Sequence, residues 1–123
     1  MKEPPEYIKH VDVIRKEEFL YLFSTTEATG KWFSDRELGR FSLEKNAGSL
    51  AARYLIKKRI CDHVGDVSYP QEIEILNDRY GRPKITLGKN IRMATGRAGI
   101  KGIHCSISHS RNYITGMTIF SLV

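Results

Sequence analysis

The chain has 123 residues, 41% of them hydrophobic, two cysteines and a net charge of +6. That length fits one domain, residues 1–123, with a modest core. No apolar run reaches the ~18 residues of a membrane span, and the polar start MKEPPEYIKH lacks the apolar stretch of a secretory signal, so the cytoplasm is the default location. Cys61 and Cys105 are too isolated for a disulfide framework or a zinc site and read as small buried side chains. The positive charge points to anionic partners, such as nucleic acid, phosphorylated cofactors or acidic proteins, without choosing among them.

In chain order, residues 1–6 read as a lead-in and residues 7–14 as a short strand with Val11 and Val13 on one face. Residues 15–23 read as a helix, because Phe19, Leu20, Leu22 and Phe23 cluster behind a charged first turn. Residues 24–30 are rich in turn formers and read as a connection. Ser34 with Glu37 three residues later makes a capping box for a short helix over 35–41. The NAGS stretch at 46–49 breaks it, and Ser49 can cap the main helix over 49–62. Leu50, Tyr54, Ile56, Ile60 and Val64 fall near helical spacing there, and Gly65 is a natural stop.

The second half reads as strands. Residues 72–76 alternate, with Ile73 and Ile75 inward and Glu72 and Glu74 outward; 77–81 make a hairpin turn, and 82–87 return. Residues 88–102 are rich in glycine and cations and read as a loop or a short strained helix. Residues 103–108 and 113–122 read as two further strands. Helices first and hairpins second predict an α+β fold, helices packed on a small, mostly antiparallel sheet.

Two stretches carry candidate chemistry. Arg53 and Lys57 lie one turn apart beside Lys58 and Arg59, a face suited to a polyanion, although such clusters are more often solvated stripes. In the stretch 104–109, His104, Ser106 and Ser108 project from one strand face and His109 stands at its end. These groups can line a phosphate site or form an ordinary polar sheet face. No G-x-S-x-G elbow or acid partner supports a serine hydrolase, and there is no G-x-G-x-x-G, Walker loop, C-x-x-C or H-E-x-x-H.

Four stretches in order are FSDREL at 33–38, SLAARYLIK at 49–57, EIEILNDRYGRP at 72–83 and IHCSISHS at 103–110, the last followed by a tyrosine and an apolar strand. This series resembles the 4′-phosphopantetheinyl transferases, most closely the short holo-(acyl-carrier-protein) synthase group. The resemblance implies transfer of the 4′-phosphopantetheine arm of coenzyme A to a serine of an apo carrier protein, within fatty acid biosynthesis. It also implies a magnesium ion on the pyrophosphate and a homotrimer that shares its sites between subunits. On matched positions it implies that Lys45, Arg53, Gly81, Pro83, Ser106, Ser108 and His109 hold coenzyme A. Lys57 and Lys58 are the candidates for a catalytic role, and Asp12 is the equivalent of the metal aspartate.

The resemblance also implies a second metal ligand, a glutamate directly after Lys57, but Lys58 stands there. Three readings follow. The fold persists as a coenzyme A or carrier-protein binding module without turnover; Lys58 itself provides positive charge against the pyrophosphate; or another carboxylate steps in. Asp62, one turn on, is the candidate for that role, or simply the i, i+4 partner of Lys58. The competing class is the non-catalytic interaction protein; a small nucleic-acid-binding domain is a third, for which the chain has no recognisable motif.

Overall fold

The computed structural model describes residues 6–123; residues 1–5 of the expected lead-in lie outside it. The order is β1 (Tyr7–Arg15), α1 (Lys16–Leu22), α2 (Thr26–Trp32), α3 (Asp35–Arg40), α4 (Ala47–Val64), a 3-10 turn (Pro70–Glu72), β2 (Ile73–Asn77), β3 (Pro83–Leu87), α5 (Lys89–Arg97), β4 (Gly102–His109) and β5 (Tyr113–Ser121). The strands form an antiparallel sheet in the order β1-β5-β4 and a separate antiparallel hairpin, β2-β3. The fold is α+β, as its patterning predicts.

α4 holds the molecule together. It lies against β5, where Gly116 allows the close approach: a Cβ there would sit 3.1 Å from the Leu55 Cβ and 3.2 Å from the Ala52 carbonyl oxygen. One apolar cluster joins its first half (Leu50, Ala51, Leu55) to Phe19, Phe23 and Phe33. A second joins its later half (Ile56, Ile60, Cys61) to Ile73, Ile75, Ile91 and Phe120. A helix packed between two clusters is covered on most of its circumference, which explains why its apolar residues form no single stripe.

β1 shows the period of two expected of a sheet with one covered face. Ile8, His10, Asp12 and Ile14 turn toward the interior, and Tyr7, Lys9, Val11, Val13 and Arg15 turn out. The capping box forms as predicted, with Glu37 N donating to Ser34 Oγ (3.1 Å) and Ser34 N to Glu37 Oε1 (3.0 Å).

Two segments differ from their sequence reading, and a third takes the helical one of its two readings. Residues 24–30 are not a plain connection but contain most of α2, capped by Thr25 Oγ1, which accepts from Ala28 N at 3.2 Å. α4 begins at Ala47, so Ser49 lies inside the first turn instead of capping it, and Asn46 Oδ1 accepts from Ser42 N. Within 88–102 the chain forms α5, stabilised at its start by Glu72, whose Oε1 accepts from Asn90 N (2.9 Å) and Ile91 N (3.2 Å). That cap comes from 18 residues away, so no local pattern reveals it. Gly88 is required by the same contact, because a Cβ there would lie 2.7 Å from Glu72 Oε1.

Both cysteines are free, and burial pushes each thiol up to about 11. Thiols, not thiolates, therefore persist at mildly alkaline pH. Cys61 is buried and Cys105 half-buried. Ellman's reagent is expected to leave Cys61 unmodified in the native protein and to titrate both thiols in guanidinium, and rapid native reaction of Cys61 would refute the packing around α4.

Candidate functional site

The cations of α4 divide into two sets facing opposite ways. Arg53 and Lys57 face the hairpin and are fully enclosed. Arg53 Nε donates to the Ile75 carbonyl (2.7 Å), Nη1 to the Ser49 carbonyl (3.0 Å) and Nη2 to Asn77 Oδ1 (3.0 Å), with the guanidinium 4.0 Å from the Phe41 ring centroid. Lys57 Nζ donates to Glu37 Oε1 (2.7 Å), to the Pro70 carbonyl (3.3 Å) and to the Ile73 carbonyl. Burial pulls the Lys57 ammonium below the ordinary lysine value, while the Glu37 carboxylate opposes that shift.

The structure places Arg53, read as a coenzyme A contact, and Lys57, read as a catalytic candidate, in the interior, where they strap α4 to α3 and β2. The expectation of a solvated basic stripe fails for the same reason: the hairpin folds over that side of the helix.

Lys58 and Arg59 face β1. With Asp12, Leu55 and Asp62 they line a cleft of about 50 Å³. Arg59 grips both oxygens of Asp12, Nη2 to Oδ1 at 2.6 Å and Nε to Oδ2 at 3.0 Å. Lys58 Nζ lies 2.9 Å from Asp62 Oδ2. Hydrogen bonds donated to these carboxylates hold Lys58 and Arg59 above their ordinary values, so both stay cationic. Asp12 thus stands in the same cleft as position 58.

The donor set does not fit magnesium, which takes hard anionic oxygens and keeps near-octahedral geometry. Both oxygens of Asp12 serve Arg59, Asp62 serves Lys58, and a guanidinium and an ammonium stand against these carboxylates. Among the described residues no group of three or more His, Cys, Asp or Glu side chains can hold a metal. Asp12 and Asp62, read as metal-ligand candidates, are each engaged by a cation of α4, and Asp62 takes its other reading as the i, i+4 partner of Lys58.

The remaining expected residues lie elsewhere. The His109 ring packs on Gly48 at the start of α4, where a Cβ would lie 3.2 Å from its Cγ, and Lys45, in the turn before the helix, is exposed. Ser106 and Ser108 are exposed and pair across the sheet with Met117 and Thr115. Gly81 turns the hairpin at φ 80°, and Pro83 joins His104 and Cys105 in a cleft of about 310 Å³ between β3 and β4. Position 58 lies ten residues along α4 from Gly48, about 15 Å at helical rise, so one chain keeps the two groups apart. A cavity of about 510 Å³ opens between Arg15, Lys16, Glu17, Leu20, Asn112 and Tyr113 and contains none of the expected residues.

Sequence reasoning missed two partners, Arg59 on Asp12 and Glu37 on Lys57. They lie 47 and 20 residues apart in the chain, beyond any local signal.

No protein-family model matches the chain. It is 30% identical over 114 residues to the holo-[acyl-carrier-protein] synthase of Fusobacterium nucleatum, covering 88% of this chain and 93% of that one. The holo-[acyl-carrier-protein] synthase of Neisseria meningitidis superposes with a TM-score of 0.76 at 20% identity, over 92% of this chain and 96% of that one. An ACPS–CoA complex from Chronobacterium ammoniagenes superposes with a TM-score of 0.73 at 23% identity, over 93% and 96%. The structural likenesses establish the fold. Together with near full-length sequence similarity, they show that the chain belongs to the holo-[acyl-carrier-protein] synthase family, the short group of the 4′-phosphopantetheinyl transferases.

Proposed function

We propose that this protein binds coenzyme A and moves its 4′-phosphopantetheine arm onto a serine of an apo acyl carrier protein. The observation that carries this reading is the similarity to a holo-[acyl-carrier-protein] synthase over 93% of that enzyme's length. Lys45, Ser106, Ser108 and His109 bind the phosphates and Gly81 and Pro83 flank the nucleotide, whereas Arg53 and Lys57 keep α4 in place. The net charge of +6 favours encounter with an acidic carrier protein. The chain acts as one domain, residues 1–123, in fatty acid biosynthesis in the cytoplasm; among the described residues no helix is long and apolar enough to cross a membrane.

Incubating the protein with coenzyme A and apo acyl carrier protein, with mass spectrometry of the carrier, tests this. The expected result is a carrier heavier by one phosphopantetheine arm, with release of adenosine 3′,5′-bisphosphate. A second reading, binding without turnover, is favoured by the ion-paired cleft around Lys58. It is assigned if coenzyme A binds by calorimetry and no carrier gains mass, and absence of binding overturns both.

The site is completed by other copies of the chain in a homotrimer. Two features support this: the separation of Gly48 and Lys58 along α4, and the outer sheet face, where Val11 and Val13 are 55% and 58% exposed beside Met117. An apolar strand face left open in this way suits association with a like surface. Light scattering is expected to give three times the chain mass. Val11→Glu is expected to yield a folded monomer that has lost coenzyme A affinity. A wild-type monomer with full affinity would refute the shared site.

A further inference from the structure

We propose that Arg59 and Lys58 take the place of a bound divalent cation in the cleft between β1 and α4, so that the protein engages phosphorylated ligands without magnesium. The ligand half of this proposal rests on the coenzyme A reading above; the metal half rests on the cleft alone.

Arg59 lies against Asp12 through two hydrogen bonds of 2.6 and 3.0 Å. A planar guanidinium matched to both carboxylate oxygens is the strong, directional form of an ion pair, and arginine cannot shed its proton at any working pH. Asp12 is 21% and Arg59 32% exposed at the side chain, so the pair is partly shielded from water and salt. One turn on, Asp62 accepts from Lys58, which is half exposed. The two carboxylates and two cations of this quartet cancel, so the cleft offers a dication no net attraction.

A divalent cation would also have to break the Arg59 fork and then sit beside two fixed positive charges in about 50 Å³. By contrast, Lys58 has three donors and lends Asp62 one. Its remaining donors and its half-exposed position suit an anionic oxygen arriving over the mouth of the cleft. The positive charge in this cleft is therefore supplied by the chain itself.

The test uses the full chain, manganese as a paramagnetic probe of the metal site, and coenzyme A calorimetry in EDTA and in excess magnesium. The free manganese signal is expected to stay undiminished by the wild-type protein, and the two coenzyme A dissociation constants to agree within about twofold. Saturable manganese binding that Asp12→Asn abolishes would overturn the metal half. A gain of about tenfold in coenzyme A affinity on adding magnesium would overturn the ligand half.

The double variant Lys58→Glu/Arg59→Ala leaves three carboxylates facing the cleft and is expected to acquire saturable manganese binding. Lys58→Glu alone should gain less, because Arg59 still holds Asp12. If the double variant keeps the wild-type circular dichroism spectrum and binds no manganese, the ion pairs are not what excludes the metal, and the proposal fails. Absence of coenzyme A binding in both media removes the proposed function and the ligand half with it, while the manganese titration still decides the metal half.

Discussion

Glu37→Ala is expected to destabilise the protein by about 3–5 kcal/mol, the cost of stranding a buried charge. Glu37 is fully buried and accepts from Lys57 Nζ (2.7 Å), Ser34 N (3.0 Å) and Ile75 N (3.0 Å). Its removal undoes the capping box, leaves the Ile75 amide without its acceptor and leaves Lys57 facing two carbonyls alone. Burial already lowers the pKa of Lys57. Without Glu37 that depression deepens, so the unfolded chain binds a proton that the folded variant gives up. The variant's stability should then rise with pH until the ordinary lysine value of about 10.4 is passed. Guanidinium midpoints measured across that range check both statements. A loss below about 1 kcal/mol at neutral pH would show that the pair is not held as described.

Arg53→Lys is expected to cost about 2–3 kcal/mol despite conserving charge. The guanidinium satisfies the Ile75 and Ser49 carbonyls and Asn77 Oδ1 at once and covers the Phe41 ring. An ammonium on a shorter stem has no planar fork to reach all three acceptors, and each buried acceptor left without a donor carries its own desolvation cost. The same variant separates a structural role from a binding one. Measured well below its melting temperature, it should keep coenzyme A affinity, because Arg53 is enclosed. An affinity loss of about tenfold with unchanged stability would restore Arg53 to the ligand site.

These two residues show where reading the chain succeeds and where it stops. Arg53 and Lys57 are legible as a pair on one helical face, and the four ordered stretches point to the family. Whether that face meets water, a ligand or the protein interior is not written in helical spacing. The hairpin that encloses it lies about 20 residues downstream, from Ile73. Lys58 is likewise legible as a departure from the implied glutamate, and its pairing with Asp62 follows from i, i+4 spacing. The grip of Arg59 on Asp12 spans 47 residues and is decided only when β1 lies beside α4. The choice between loop and helix for α5 stayed open for a related reason: the glycines and cations of residues 88–102 weaken the local signal, and Glu72 supplies the cap from outside the segment.

The amino-acid order alone therefore determined the α+β class, the capping box at Ser34 and Glu37, the alternating faces of β1 and β4, and the family. All of these depend on residue type and short spacing, which persist in an unfolded chain. Tertiary structure alone decided which charges are spent internally. Arg53 and Lys57 became core straps, and Asp12 became the partner of Arg59. The reason is that a charge's role depends on its desolvation and on the nearest opposite charge, and both are set by elements that meet only after the chain has folded.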